Sequence, residues 1–496
     1  MLAGRVETTS SPLPDNHHKC SFAKHLYLQN ALMPGWARGL QGRRSHAPRH
    51  GPEQVSDPNE PEPGPIDRIL RVFGDVRAGE GITALLMCLN VYLLLMAYYI
   101  LKTAREPLIL LAGGAELKSY AAAAQALALI FYVPLYGWVA QKLPRQRFLA
   151  LVLLFFIGCI QCFYLGSLSG VPHLGFIFYV WVGIFSLTAI AQFWSYANEI
   201  YTRPEGDRLF PLIAIGSTAG APLGAAVAGW LFEKGMSPFL LMEIAAGILL
   251  LHLSLYRVVA RRMAKAAGRP ASEPIKGGNG FSLILKSPYL RLVALFLVLL
   301  NLVNTLGEFI LGQAAVANAD ASLLLDPGFD KQAYLGAFYG RYFLLTNIAA
   351  ILIQAFLVSR IVKRFDMKGV LLALPIVSFL AYGSAALGAG LATLLYVKIA
   401  ENSTDYSVTN TAKQMLWLPT SREEKYKAKQ AIDTFFVRFG DMLAAGLVFV
   451  GTHLLSRGVA GFARANMLIV AAAIVVGVLL LREHARLIAT EKETAK

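Results

Sequence analysis

Twelve apolar stretches, each about as long as a bilayer is thick, dominate the chain from residue 81 onward. They run 82–101, 119–140, 148–168, 174–199, 209–232, 237–259, 289–312, 333–360, 370–389, 391–418, 431–455 and 463–482. A helix needs roughly 20 such residues to cross the hydrocarbon core. Only helices and closed barrels satisfy their backbone polar groups there, and apolar runs this long read as helices. Apolar residues make up 56% of the 496 and charged residues 16%, against about 45–50% and about 25% in soluble domains. A multidomain soluble enzyme is excluded, and so is a mainly disordered chain. The expected fold class is all-α, a polytopic membrane protein.

The formal net charge of +15 collects in the joining loops. It therefore reads as membrane topology, with no nucleic-acid partner. Loop two carries Lys142, Arg145 and Arg147, and loop eight Lys363, Arg364 and Lys368. Loop ten carries Arg422, Lys425, Lys427 and Lys429, whereas loop seven holds Asp320, Asp326 and Asp330. Even-numbered loops and both termini are expected in the cytoplasm, with loop four neutral and loop eleven (Arg457, Arg464) dissenting. Loop six is long and basic, from Arg257 to Lys286, and splits the segments six and six. Both sets carry a basic connector after their second segment, QKLPRQR and VKRFDMK, the trace of a parallel duplication. The pattern resembles the major facilitator architecture: twelve transmembrane helices in two six-helix halves.

The expected layout starts with 1–65, a disordered or mis-called extension. An amphipathic helix at 66–80 and the first half at 81–259 follow. A basic cytoplasmic linker spans 260–288, the second half 289–482, and a cytoplasmic tail 483–496. The basic bias of the extension fits an organelle transit peptide or a start codon placed upstream of Met33. The membrane is a bacterial inner membrane or an organelle envelope.

Charged and polar residues inside the apolar segments carry the functional information, because ionisable groups at membrane depth face a cavity or a partner. In segment ten, Lys398, Glu401, Asp405, Thr409 and Lys413 recur at steps of three or four and share a helix face. The plain reading is an internal salt-bridge ladder, Lys398–Glu401 and Glu401–Asp405 with outside help; the functional reading is a polar wall of a translocation path, and the two are compatible. Lys413, two turns from its nearest acid, is the freest cation and the best anion ligand. Segment seven holds Asn301, Asn304 and Glu308, segment eight Arg341, and segment eleven Asp433, Arg438 and Asp441. Lys102, Arg105 and Glu106 fall just past segment one, and for Lys102, as for Glu199 at the end of segment four, snorkelling to the interface is the plain explanation. Gly216, Gly220 and Gly224 in segment five lie four apart, the spacing that lets two helix backbones approach.

Nothing points to catalysis or a cofactor. No P-loop is present, and no His pair has metal-ligand spacing. Cys159 and Cys162 sit in an apolar run as plain thiols.

The run DYSVTNTAKQMLWLPTSREEKYKAKQAIDTF resembles the nucleotide transporters typified by plastid and intracellular-bacterial ATP/ADP translocases. The matching positions are Tyr406, Ser407, Lys413, Met415, Leu418 and Pro419, then Lys427, Lys429, Ala431, Ile432 and Asp433. LKTAREPL, FWSYANEIYT and NLVNTLGE echo further family stretches. The resemblance places the family's helix-ten lysine on Lys413 and its lysine after helix one on Arg105. Its helix-seven acid falls on Asn304, with Glu308 one turn on, and its helix-five acid has no clear counterpart. The phosphate-binding cations are kept, while the acids linked to exchange selectivity are altered.

The implied function is a secondary transporter working by alternating access on a small phosphate-bearing anion. A nucleotide leads, as in an ATP:ADP antiporter. Lys413, Arg105 and Arg341 would hold phosphate, while Glu401 and Asp405 neutralise the empty cavity. Tyr406 or Trp194 would stack a base. Besides that solute the partner is the lipid bilayer; no metal is implied, and the oligomeric state is left open. Two alternatives stand beside it. One is a proton-coupled carrier of another solute, in which Glu308 or Asp405 titrates. The other is a non-transporting sensor or scaffold.

Overall fold

The computed structural model describes residues 64–72, 75–142, 145–264, 280–421 and 423–494. The extension 1–63 and most of the basic linker, 265–279, lie outside the described residues. A short helix, α1 (Pro65–Leu70), precedes α2 (Gly81–Lys142), α3 (Arg145–Leu168), α4 (Leu174–Ile200), α5 (Arg203–Glu233) and α6 (Pro238–Ala264). After the linker come α7 (Gly280–Lys286), α8 (Pro288–Leu325), α9 (Lys331–Leu352), α10 (Val358–Ala386), α11 (Leu391–Thr404) and α12 (Asn410–Leu416). The last elements are α13 (Lys429–Ala431), α14 (Val437–Phe449) and α15 (Val459–Thr494). Wide π turns at Ile353–Leu357, Asp405–Thr409, Glu424–Ala428, Ile432–Phe436 and Val450–Leu454 join several of these into longer runs.

The protein is all-α and polytopic. Among the described residues, nine spans are long and apolar enough to cross a membrane. Two of the spans, Gly81–Ala140 and Lys331–Ala386, are far longer than one crossing needs. Each contains non-helical backbone, at Gly113 and Gly114 in α2 and at Asp366 in α10.

One difference from the sequence expectation matters for function. The helix does not stop at Leu101, where the apolar count stops, but continues through Lys102, Arg105, Glu106 and Pro107 to the break at Gly113. Charges end a hydropathy window without ending a helix. Those three charges therefore sit inside the bundle.

Close backbone approach sets how the helices pack, as it must where lipid is as apolar as leucine. A Cβ on Gly216, Gly220 or Gly224 of α5 would fall 2.0, 2.3 or 2.4 Å from the carbonyl oxygens of Cys88, Tyr92 and Met96 on α2. The four-residue glycine spacing is thus a helix-packing stripe. Farther along α5, Gly229 meets Gly340 of α9, where a Cβ on Gly340 would lie 2.4 Å from the Gly229 Cα. One apolar core joins α2–α6 around Phe178, Phe185, Trp194 and Phe232. Another joins α8, α10, α12 and α15 around Leu290, Phe296, Leu371 and Leu416. A third bridges the two groups through Ile109, Leu110, Leu306, Phe309, Tyr339 and Tyr342.

The start of α2 is pinned from outside the bundle. The buried Asp67 carboxylate accepts backbone N–H bonds from Gly64 (2.9 Å), Gly79 (3.0 Å) and Gly81 (2.8 Å). These bonds, led by that of Gly79, hold its carboxyl below the ordinary aspartate value. Gly81 is needed there: a Cβ would lie 2.4 Å from the Asp67 carboxylate oxygen.

Candidate functional site

A cavity of about 250 Å³ lies between α2 and α4 on one side and α8 and α14 on the other. Its charged lining is Lys102, Arg105 and Lys118 from α2, Glu308 from α8, and Arg438 and Asp441 from α14. Glu106, fully buried, lies behind the wall, 2.7 Å from Arg105 and 2.7 Å from Lys118. Lys118 reaches across to Glu308 at 3.2 Å. Around the cavity, four cations thus face three carboxylates.

Each charge is held in place by neighbours. The Arg105 guanidinium lies 4.0 Å from the centre of the Tyr179 ring, a cation–π contact that fixes its plane. Glu308 accepts from Tyr342 Oη (2.6 Å) and from Asn402 (3.2 Å). Asp441 accepts from Asn301 (2.8 Å) and Thr305 (2.7 Å) and pairs with Arg438 at 3.3 Å. Behind Asn304 a second network runs inward. Lys398 donates to the Asn304 side chain (2.8 Å) and backbone (3.1 Å) and pairs with Glu401 at 2.9 Å. Glu401 also accepts from Tyr382 (2.5 Å) and Ser378 (3.0 Å). So buried a carboxylate is tolerable only when saturated in this way.

The structure brings together some of the residues singled out from sequence and separates others. Arg105, Asn304 and Glu308 line one cavity, and Glu401 sits behind them as the salt-bridged partner of Lys398. Lys413 is not the free cation its spacing implied. Its ammonium lies 3.4 Å from Asp405, and neither residue lines the cavity. A π turn over Asp405–Thr409 separates the two, and a long lysine stem on a helix points back toward the N-terminus. Counting in steps of 3.6 misses both effects. Arg341 points away from the cavity, 68% exposed, with Glu233 3.8 Å off. Trp194 is buried edge-on against Phe193 and Phe210 in the first core, so it offers no free face to a base.

In the sequence Lys102 reads as an interface residue beyond the end of its segment, and Lys118, one residue before the next segment, is not singled out. The available signal was chemical: LKTARE holds two cations and one acid within five residues, and a helix carries them into the interior. Lys102 lies 4.3 Å from the Phe343 ring centre and 5.1 Å from that of Tyr99. It has no carboxylate partner among the described residues. Among those residues no group of three or more His, Cys, Asp or Glu comes together to hold a metal ion.

The chain is 24% identical over 323 residues to ADP,ATP carrier protein 1 of Chlamydia trachomatis serovar D, covering 55% of this chain and 58% of that protein. It is 24% identical over 307 residues to ADP,ATP carrier protein 1 of Chlamydia muridarum, covering 52% and 55%. The chain thus spans under two thirds of the length of these curated relatives. Its fold matches that of the nucleoside transporter NupG with a TM-score of 0.59 at 14% identity, over 81% of this chain and 98% of the other. It also matches a bacterial homologue of the iron transporter ferroportin in an inward-facing state, with a TM-score of 0.56 at 14% identity, over 81% and 98%. These relatives and solved structures are transporters rather than enzymes. The family model described as TLC ATP/ADP transporter matches residues 174–486, well over half of the chain, and the protein belongs to that family.

Proposed function

We propose that the protein is a secondary carrier of a phosphate-bearing anion, a nucleotide first among them, working by alternating access between two halves. The breaks at Gly113–Gly114 and Asp366 divide two of the long spans. The helical run 391–416, with its π turn, adds a further crossing. On that count the chain crosses twelve times, α2–α6 forming one half and α8–α15 the other, in the major facilitator manner. One observation carries the proposal: a cavity between these halves is ringed by more cations than carboxylates. Away from bulk water such an excess attracts an anion strongly, and guanidinium and ammonium groups match phosphate oxygens.

In this reading Arg105 presents its guanidinium to phosphate, held in plane by Tyr179 and in place by Glu106. Glu308 and Asn304 sit opposite, where the carboxylate balances Lys118 and Lys398 and keeps the empty cavity from trapping its cargo. Lys413, Asp405 and Arg341 lie outside this first contact. Lys413 and Asp405 belong to a later stage of the path or to the fold.

Uptake of labelled ATP, ADP and orthophosphate into proteoliposomes, with and without internal nucleotide, tests the proposal. Stimulation by internal nucleotide is the expected result. Uptake driven only by a pH gradient overturns exchange in favour of proton coupling. Absence of uptake under every condition overturns transport altogether.

A further inference from the structure

The four cations around the cavity are not equally available. Arg105 and Lys118 share the buried carboxylate of Glu106, and Lys118 also holds Glu308. Arg438 is paired with Asp441. Any of these must share or surrender an ion pair to meet a substrate. Lys102 has ring faces, those of Phe343 and Tyr99, and no carboxylate partner among the described residues. A cation–π contact is weaker than a phosphate–ammonium bond in a water-poor cavity. Lys102 is therefore the charge that an arriving anion recruits at least cost.

The place where Lys102 rests has a second consequence. Lys102 and Tyr99 stand on α2, whereas Phe343 and Asn347 stand on α9. Tyr99 Oη donates to Asn347 Oδ1 (3.1 Å), and the Tyr99 and Phe343 rings meet edge to face. With the cavity empty, Lys102 closes a clasp that ties one half to the other. Drawing its ammonium into the cavity removes the cation from that clasp.

We infer that Lys102 is the anchor for a phosphate of the transported anion and that its resting contact with Phe343 restrains the empty carrier from reorienting. This rests on the anion-carrier reading above. It adds a reason why internal substrate should be required: without an anion to displace Lys102, the clasp stays shut and the empty protein does not cycle.

Two variants separate the roles, measured in proteoliposomes with labelled ADP. Lys102→Gln removes the anchor and should raise KM by about tenfold or more. Lys102→Arg keeps the charge and should stay within about threefold of the parent. Phe343→Leu keeps Lys102 but removes its ring. It should leave KM within about twofold while raising ADP efflux into nucleotide-free buffer several-fold. An unchanged KM in Lys102→Gln overturns the anchor. Unchanged efflux in Phe343→Leu overturns the restraint. A Lys102→Gln protein that fails to fold leaves Lys102→Arg and Phe343→Leu to decide, and a rise in KM of about tenfold in Lys102→Arg would count against charge as the cause. If the unsubstituted protein transports no phosphate-bearing anion, the function fails first. If it transports ADP and the variants behave as the parent, only the present inference fails.

Discussion

Glu106 is fully covered and touches two cations at once. Its replacement by glutamine leaves Arg105 without a carboxylate and Lys118 with Glu308 alone, a loss of about 3–5 kcal/mol for a broken buried pair. The same change raises the positive excess of the cavity. Glu106→Gln is therefore expected to lower the thermal unfolding midpoint in detergent while tightening nucleotide binding. A second residue-scale prediction concerns Asp67, whose three backbone bonds keep its carboxyl ionised. Because its folded pKa is depressed, its contribution is complete above the free aspartate value of about 3.9 and is lost as pH falls through the lower folded value. Asp67→Asn should speed backbone hydrogen exchange across residues 64–81 at neutral pH, with the difference vanishing in strong acid. Little of this was legible beforehand. Residue types such as Arg105 and Glu308 announce themselves by charge at membrane depth. Lys118 does not, and its pairing with Glu106 spans the break at Gly113–Gly114.

At the scale of elements, the glycine stripe on α5 and the fate of segment ten make opposite cases. Gly216, Gly220 and Gly224 were readable as a packing face because their spacing keeps one side of a regular helix, and α5 is regular. Gly220→Ala would set a Cβ 2.3 Å from the Tyr92 carbonyl oxygen and force α5 from α2, at a cost of about 1–3 kcal/mol. Gly247→Ala on α6 meets nothing within 4 Å and serves as the control. Detergent unfolding midpoints of the two variants should differ clearly. Segment ten is not regular. Its π turn at Asp405–Thr409 leaves no mark in an apolar count, so the Lys398–Glu401 pair was legible while the Lys413–Asp405 pair was not.

Across the whole molecule, polar side-chain contacts tie α2–α6 to α8–α15. Lys118–Glu308 does so beside the cavity, Arg341–Glu233 at the flank, and Glu116–His453 (2.5 Å) at the end where α2 breaks. Thr452 adds a hydrogen bond to Glu116 at 3.4 Å. That end must part if cargo is to leave through it. In a cysteine-free background, Glu116→Cys with His453→Cys, joined by a short cleavable bis-thiol reagent, should arrest ADP exchange. Cleaving the reagent should restore it, and neither single variant should respond. Arrest without recovery, or no arrest, would argue against opening there. Apolar segment lengths and loop charges were enough to foresee a helical membrane bundle. They could not show which end holds such bridges, since residues 116 and 453 are distant in sequence and near only after folding.

The crossing of α5 and α9 at Gly229 and Gly340 brings bare backbone against bare backbone. Surfaces without side chains have no teeth to mesh, so they roll over one another as a bearing does. A methyl group at Gly340, 2.4 Å from the opposing Cα, is grit in that bearing: Gly340→Ala should slow kcat while KM stays put. The smallest side chains in the protein would then set the speed of its largest motion.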